Sequence, residues 1–342
     1  MMQSALHLAV ALAPAIIFLL VLLRLESFKL VSPPALAAYL LAGAALAGVS
    51  YFANGYLIGQ LGIDAKAYSR FGAPVVEEML KASLLVVLFL RNRIGFMVDA
   101  AIIGFAIGTG FSIAENAYLF HIFSTANITV WIIRGFGTAM MHGGATAIFG
   151  VLAQSLTDRH RTTNPIWYLP GLTAAILVHA VYNAIDNPLI ATAGAFIAMP
   201  LALLAIFSKS EHGVHDWLIA EYNSHELLLA EIDSGNYQHE AGGRFMRDLS
   251  ERFGESTTED IFAYLRIHTE LSLRADKMTL DRENHRATAP TVEDAQSFTQ
   301  LHTLEDRIGQ TAMLAVWPHL KFSRRELWEF YRFERSAKHT KA

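Results

Sequence analysis

Six of the ionisable side chains inside the long apolar runs of this sequence could do chemistry together. They are Glu77, Glu78 and Lys81 in Pro74-Val-Val-Glu77-Glu78-Met-Leu-Lys81, Glu115 in Phe111-Ser-Ile-Ala-Glu115-Asn116, His142 in Met141-His142-Gly-Gly, and His179 in His179-Ala-Val-Tyr-Asn183. In a bilayer such groups are costly, about 2.5–3.5 kcal/mol for each Asp, Lys or Arg near the centre of a span, so they mark function by default. Glu77 and Lys81 are four residues apart, as are His179 and Asn183, so each pair projects from one helix face. Carboxylates, imidazoles, an ammonium and amides are also what hydrolysis requires: a base for water, a proton donor, and groups that stabilise an oxyanion. A carboxylate in a dry pocket can serve as a base near neutral pH, and Lys81 can hold one of the two adjacent glutamates ionised.

These residues need a scaffold, and the composition indicates which kind. Of 342 residues 53% are hydrophobic and only 17% charged, which is too apolar for a soluble domain of this size. A net charge of −4 offers no nucleic-acid footprint. The absence of cysteine excludes thiolate metal sites, disulfides and a cysteine nucleophile. Residues 1–208 carry 18 of the 58 Lys, Arg, Asp and Glu residues, and residues 209–342 carry 40. A transmembrane domain over 1–208 and a soluble helical domain over 209–342 follow.

Seven runs in the first part are long enough to cross about 30 Å of hydrocarbon as helices: 5–23, 33–55, 71–90, 94–120, 130–153, 167–186 and 188–208. The expected fold is therefore all-α, a polytopic bundle of about seven transmembrane helices followed by a helical domain. The first run lacks a basic leading segment and a small-residue cleavage site, so it is expected to be a retained helix. With the N-terminus outside, seven loop Lys and Arg residues fall on the cytoplasmic side (Arg24, Lys29, Arg91, Arg93, Arg159, Arg161, Lys209) and two, Lys66 and Arg70, on the other. A multi-pass protein of the cell membrane with a cytoplasmic C-terminal domain is the result. In that topology Glu77, Glu115, His179 and His142 lie about 8–18 Å below the outer surface at about 1.5 Å per residue, compatible with one site.

The set Glu77-Glu78-x-x-Lys81, Phe111-x-x-x-Glu115-Asn116, His142 in Met-His-Gly-Gly-Ala-Thr-Ala, and His179-Ala-x-Tyr-Asn183 resembles, in order and on successive apolar segments, the motifs of the PrsW family of intramembrane proteases. That family is distantly similar to the CAAX prenyl endopeptidases, whose paired glutamates and two histidines occupy comparable places. The resemblance covers roughly residues 35–208. It implies a membrane-embedded metalloprotease acting on membrane-anchored regulatory proteins or small peptides, with the lipid bilayer as its medium. The C-terminal domain lies outside it.

On this reading the catalytic set is Glu77, Glu78, Lys81, Glu115, Asn116 and Asn183, and the expected metal ligands are His142, His179 and Glu115. Two imidazoles and a carboxylate match a catalytic Zn2+ site with an open water position. With no HExxH helix in the chain, the ligands must be assembled across helices. The alternative is metal-free, with the histidines binding water and Asn183 donating to the oxyanion. Adjacent helical residues point about 100° apart, so only one glutamate aims at the histidines; Glu78 is assigned as base or water ligand and Glu77 as its orienting partner. Competing readings are a structural ion pair of Glu77, Glu78 and Lys81, interhelical packing amides at Asn116 and Asn183, a proton-coupled transporter, and a silent receptor signalling through its tail. Asp99 and Arg134 are expected to pair or snorkel near membrane boundaries, and Gly104-x-x-x-Gly108 to permit close helix approach.

The tail shows an amphipathic helix over 243–254, capping boxes at Ser256-Thr-Thr-Glu259 and Ser323-Arg-Arg-Glu326, and a linker at 286–291.

Overall fold

The computed structural model describes residues 2–28, 30–123, 125–160, 164–234, 249–284, 286, 288–316 and 324–339. The chain divides into two compact units, Met1–Glu211 and His212–Ala342. All regular structure among the described residues is helical.

In the first unit the long helices are α1 (Met2–Leu25), α2 (Pro33–Leu61), α3 (Ala73–Leu90), α4 (Met97–Ile122), α5 (Ala139–Arg159), α6 (Leu169–Ala184) and α7 (Pro188–Asp233), the last running past the unit boundary. The apolar runs dictate them, with Pro at the first turn of α2, α3 and α6 where a missing N–H costs nothing. Six of the seven are long and apolar enough to cross a membrane, with the π-helical or 3₁₀ segments preceding α5 and α6 counted as part of their spans. The seventh, α3, is 18 residues long and otherwise apolar, but it carries Glu77, Glu78 and Lys81. The helix that looks least like a span is the one that carries most of the charge of the candidate site.

Two helices are preceded by π-helical turns, Tyr68–Gly72 before α3 and Ile133–Thr138 before α5. Such wide turns are rare and recur at functional sites. Here each directly precedes a site-bearing helix.

The core of this unit is α4, buried continuously from Val98 to Ser112 and packed chiefly against α5 and α2. Asp99 begins it. Buried at 1% exposure, its carboxylate accepts the backbone N–H groups of Gly95 (2.9 Å), Phe96 (2.8 Å) and Ala100 (3.0 Å), satisfying the helix start. The sequence suggested a boundary residue that snorkels or pairs; it is an internal helix cap. Glycine makes the close packing of α4 possible. A Cβ on Gly108 would lie 2.2 Å from the carbonyl oxygen of His142, and one on Gly104 would lie 2.7 Å from that of Thr146. Gly108 therefore sets how near the His142 backbone comes to α4. Gly108→Ala is expected to cost about 1–3 kcal/mol by overpacking and to lower proteolysis along with melting temperature; an unchanged melting temperature would show that the helices yield.

In the second unit α8 (Glu255–Glu283), α9 (Val292–Val316) and α10 (Arg324–His339) share an apolar core that includes Ile261, Tyr264, Leu271, Phe298, Leu301 and Phe333. Residues 249–253 are helical, and the rest of the helix expected over 243–254, with Ser323 of the second capping box, lies outside the described residues. The described residues of 286–291 are non-helical, as a linker should be. The capping box at Ser256 does not form. Gly254, at φ 87°, occupies the cap position, and its carbonyl accepts Thr258 N–H at 3.2 Å, so the helix starts before Ser256.

Candidate active site

Three helices bring their ionisable residues together. On α3, Glu78 and Lys81 are buried at 1% and 0% exposure and joined by a 2.5 Å hydrogen bond from Nζ to Oε1. The same Glu78 oxygen lies 2.8 Å from His179 Nδ1 on α6. Lys81 Nζ is 3.1 Å from His142 Nδ1 on α5. The two imidazoles meet edge to face with centroids 4.7 Å apart. Phe111 of α4 walls the cluster, its ring centroid 5.0 Å from that of His142 and 4.8 Å from Lys81 Nζ.

Glu77 is placed differently. Its Oε2 faces His179 Nε2 at 3.9 Å, and its Oε1 accepts Asn54 Nδ2 at 3.1 Å, with Asn54 Oδ1 in turn receiving Tyr68 O–H at 2.9 Å. Lys81 engages Glu78 and Arg134 engages Glu115, whereas the direct partners of Glu77 are an amide and an imidazole.

Glu115 lies on the far side of His142, its Oε2 3.2 Å from Nε2 and 2.8 Å from an Arg134 terminal nitrogen. Arg134 also donates from Nε to Asn116 Oδ1 at 2.5 Å, and Asn116 Nδ2 donates to the carbonyl of Ala11 at 2.9 Å. Asn116 thus ties Arg134 to α1 and does not reach the histidines. Asn183 is also held elsewhere: its amide donates to the Ser69 carbonyl at 3.0 Å, inside the π-helical turn before α3. An oxyanion role for Asn183 has no support in this arrangement.

The residues that could hold a metal are Glu77, His142 and His179, whose donor atoms lie within 4.8 Å of one another. Glu115, expected as the third ligand, is not in that set; its carboxylate pairs with Arg134 at 2.8 Å and lies 3.2 Å from His142 Nε2. The paired glutamates differ in their surroundings. Glu78 is wedged between Lys81 and His179 Nδ1, the position of a carboxylate that fixes the ring and tautomer of a metal-binding histidine. Reading the sequence alone missed Arg134, Asn54 and Tyr68 as neighbours of the site. Arg134 was detectable as the other charge in an apolar run; Asn54 and Tyr68 carry no such signal.

The model of the PrsW family of intramembrane metalloproteases matches residues 32–207, just over half of the chain. The chain belongs to the PrsW family. No curated protein and no solved structure matches it. Membership makes this PrsW-type chain a membrane-embedded metalloprotease whose substrates are peptides in the membrane, and the matched segment contains every residue of the cluster, from Asn54 to Asn183.

Proposed function

We propose that Glu77, His142 and His179 form the reacting centre of this protease, and that its substrates are membrane-anchored regulatory proteins or small peptides. The observation that carries this is the convergence of one carboxylate and two imidazoles from three helices within 4.8 Å. These three would hold the metal, His142 giving up its contact with either Lys81 or Glu115 to free a ring nitrogen, and imidazole with carboxylate suits Zn2+. A bound ion supplies Lewis acidity, polarising a carbonyl and acidifying water.

The protein's own groups divide the remaining work. Glu77, which has no Lys or Arg paired to it among the described residues, turns Oε2 toward His179 Nε2 and so offers that oxygen to the ion. Glu78 holds His179 through Nδ1, leaving Nε2 directed at the centre. Lys81 neutralises Glu78 and sits against His142, and Arg134 with Glu115 closes the other side of that ring. Phe111 and the buried α4 exclude bulk water, which strengthens every charge interaction at the site.

The test is purified protein with a single-pass membrane-anchored substrate. Cleavage is expected to disappear on chelation and to return with Zn2+. His142→Ala and His179→Ala should each remove both cleavage and bound metal, and cleavage by either variant at the native rate would sink the assignment.

For topology we propose an outside N-terminus and a cytoplasmic second unit in the cell membrane, supported by the Lys and Arg distribution. Reporter fusions at Asn127 and after residue 342 should then report opposite sides. The same side for both would overturn it.

A further inference from the structure

Away from the intramembrane cluster, the second unit gathers a second set of donor groups from three helices. His225 of α7 is the hub. Its Nδ1 lies 2.7 Å from Asp276 Oδ2 on α8. Its Nε2 faces Glu221 Oε1 at 3.8 Å, one turn back on α7, and Glu326 Oε1 at 4.0 Å on α10. The donor atoms of Glu221, His225 and Glu326 lie within 4.8 Å of one another. Three ligands at about 2.0–2.2 Å from one ion stand about 3.3–3.6 Å apart, so a shift of some tenths of an ångström to about an ångström closes the set.

A second observation points the same way. Glu329, one turn along α10 from Glu326, is 3% exposed and lines a small cavity with His225, Asp276 and Glu326. Neither of its carboxylate oxygens makes a well-formed hydrogen bond among the described residues, Thr279 being the neighbouring donor that eases its charge. A buried carboxylate with so little direct hydrogen bonding is expensive and is normally paired or bound to a metal. Arg282 and Arg332 stand along its other side in an adjoining cavity, yet burial, reinforced by Asp276, still pushes Glu329 up to about 8. A carboxyl buried in this way is stabilised by a proton or by a cation.

The geometry points to a divalent metal site in the second unit, with Glu221, His225 and Glu326 as ligands, Asp276 orienting the imidazole from Nδ1, and Glu329 supplying negative charge beside it. A carboxylate on one imidazole nitrogen with the other directed at further carboxylates is the arrangement that presents histidine to a metal. Mixed carboxylate and imidazole donors suit Zn2+ or Mn2+. The ion would tie α7, α8 and α10 together, and its binding energy would add to the stability of that unit.

The test uses the full-length protein in detergent, stripped by chelator and titrated with Zn2+ and, separately, Mn2+. A His142→Ala, His179→Ala background removes the intramembrane ligands, so any remaining equivalent is independent of the proposed active site. One equivalent of at least one of the two ions should remain and should raise the melting temperature. Adding His225→Gln or Glu326→Gln to that background should weaken the binding by about 100-fold or more, beyond the scale of losing a group that only orients a ligand, and abolish the metal-dependent rise. Glu329→Gln, which keeps size and relieves the buried charge, should fold at least as well without metal and show a smaller rise with it. If the background binds no equivalent of either ion, or if His225→Gln and Glu326→Gln leave its binding unchanged, the site does not exist.

Discussion

Glu77→Gln should reduce proteolysis by about 10³-fold or more, the scale of losing a group that acts directly in the chemistry, while Glu78→Gln should reduce it about 10–100-fold, the scale of losing a carboxylate that orients a metal-binding histidine. Gln retains size and hydrogen bonding and removes only the charge and basicity. At Glu77 no other carboxylate in the centre can replace the lost ligand, because Arg134 holds Glu115 and Lys81 holds Glu78. At position 78 a glutamine oxygen can still accept from His179 Nδ1–H and from Lys81, so the ring stays roughly in place. Measuring cleavage and bound metal for each variant separates the two roles. Equal loss in both would mean that the pair acts as one unit, and a larger loss at position 78 would restore the assignment first made from the sequence.

Lys81→Met should produce the largest loss of stability of any single substitution in the cluster. Lys81 and Glu78 are fully buried and share a 2.5 Å contact; removing one partner leaves an uncompensated charge, which costs about 3–5 kcal/mol. Met fills most of the volume, so a cavity is not the cause. Glu78→Gln on the same background should recover much of the loss, since no net charge is then left buried. The coupling between the two is read from melting temperatures of the wild type, both single variants and the double. Additive effects would show that Lys81 serves mainly His142, its other neighbour at 3.1 Å.

The elements of this fold were readable because lipid demands long apolar runs, and the site because each of its ionisable residues violates that demand. Helix rotation was not readable. Which of Glu77 and Glu78 faces His179 Nε2 depends on how α3 turns about its axis, and the π-helical turn at Tyr68–Gly72 resets that rotation just upstream without any local signature in residue type. The same turn draws Asn183 away, because its Ser69 carbonyl receives the Asn183 amide. Arg134 was assigned to a boundary by counting residues, and the second π-helical segment, which contains it, brings it to Glu115 and Asn116 instead.

Lys81 and Glu78 also differ from the rest of the cluster in being three residues apart on one helix. Their bond needs no other part of the chain, whereas Glu78 meets His179 across 101 residues. At about 5–20 residues per second of synthesis, α3 leaves the ribosome roughly five to twenty seconds ahead of the histidine that completes its surroundings. During that interval the nascent helix must enter the membrane carrying three ionisable groups. The intrahelical pair cancels two of them at once, leaving Glu77 as the charge that waits for partners, so Lys81→Met would burden biogenesis before it burdens the finished enzyme.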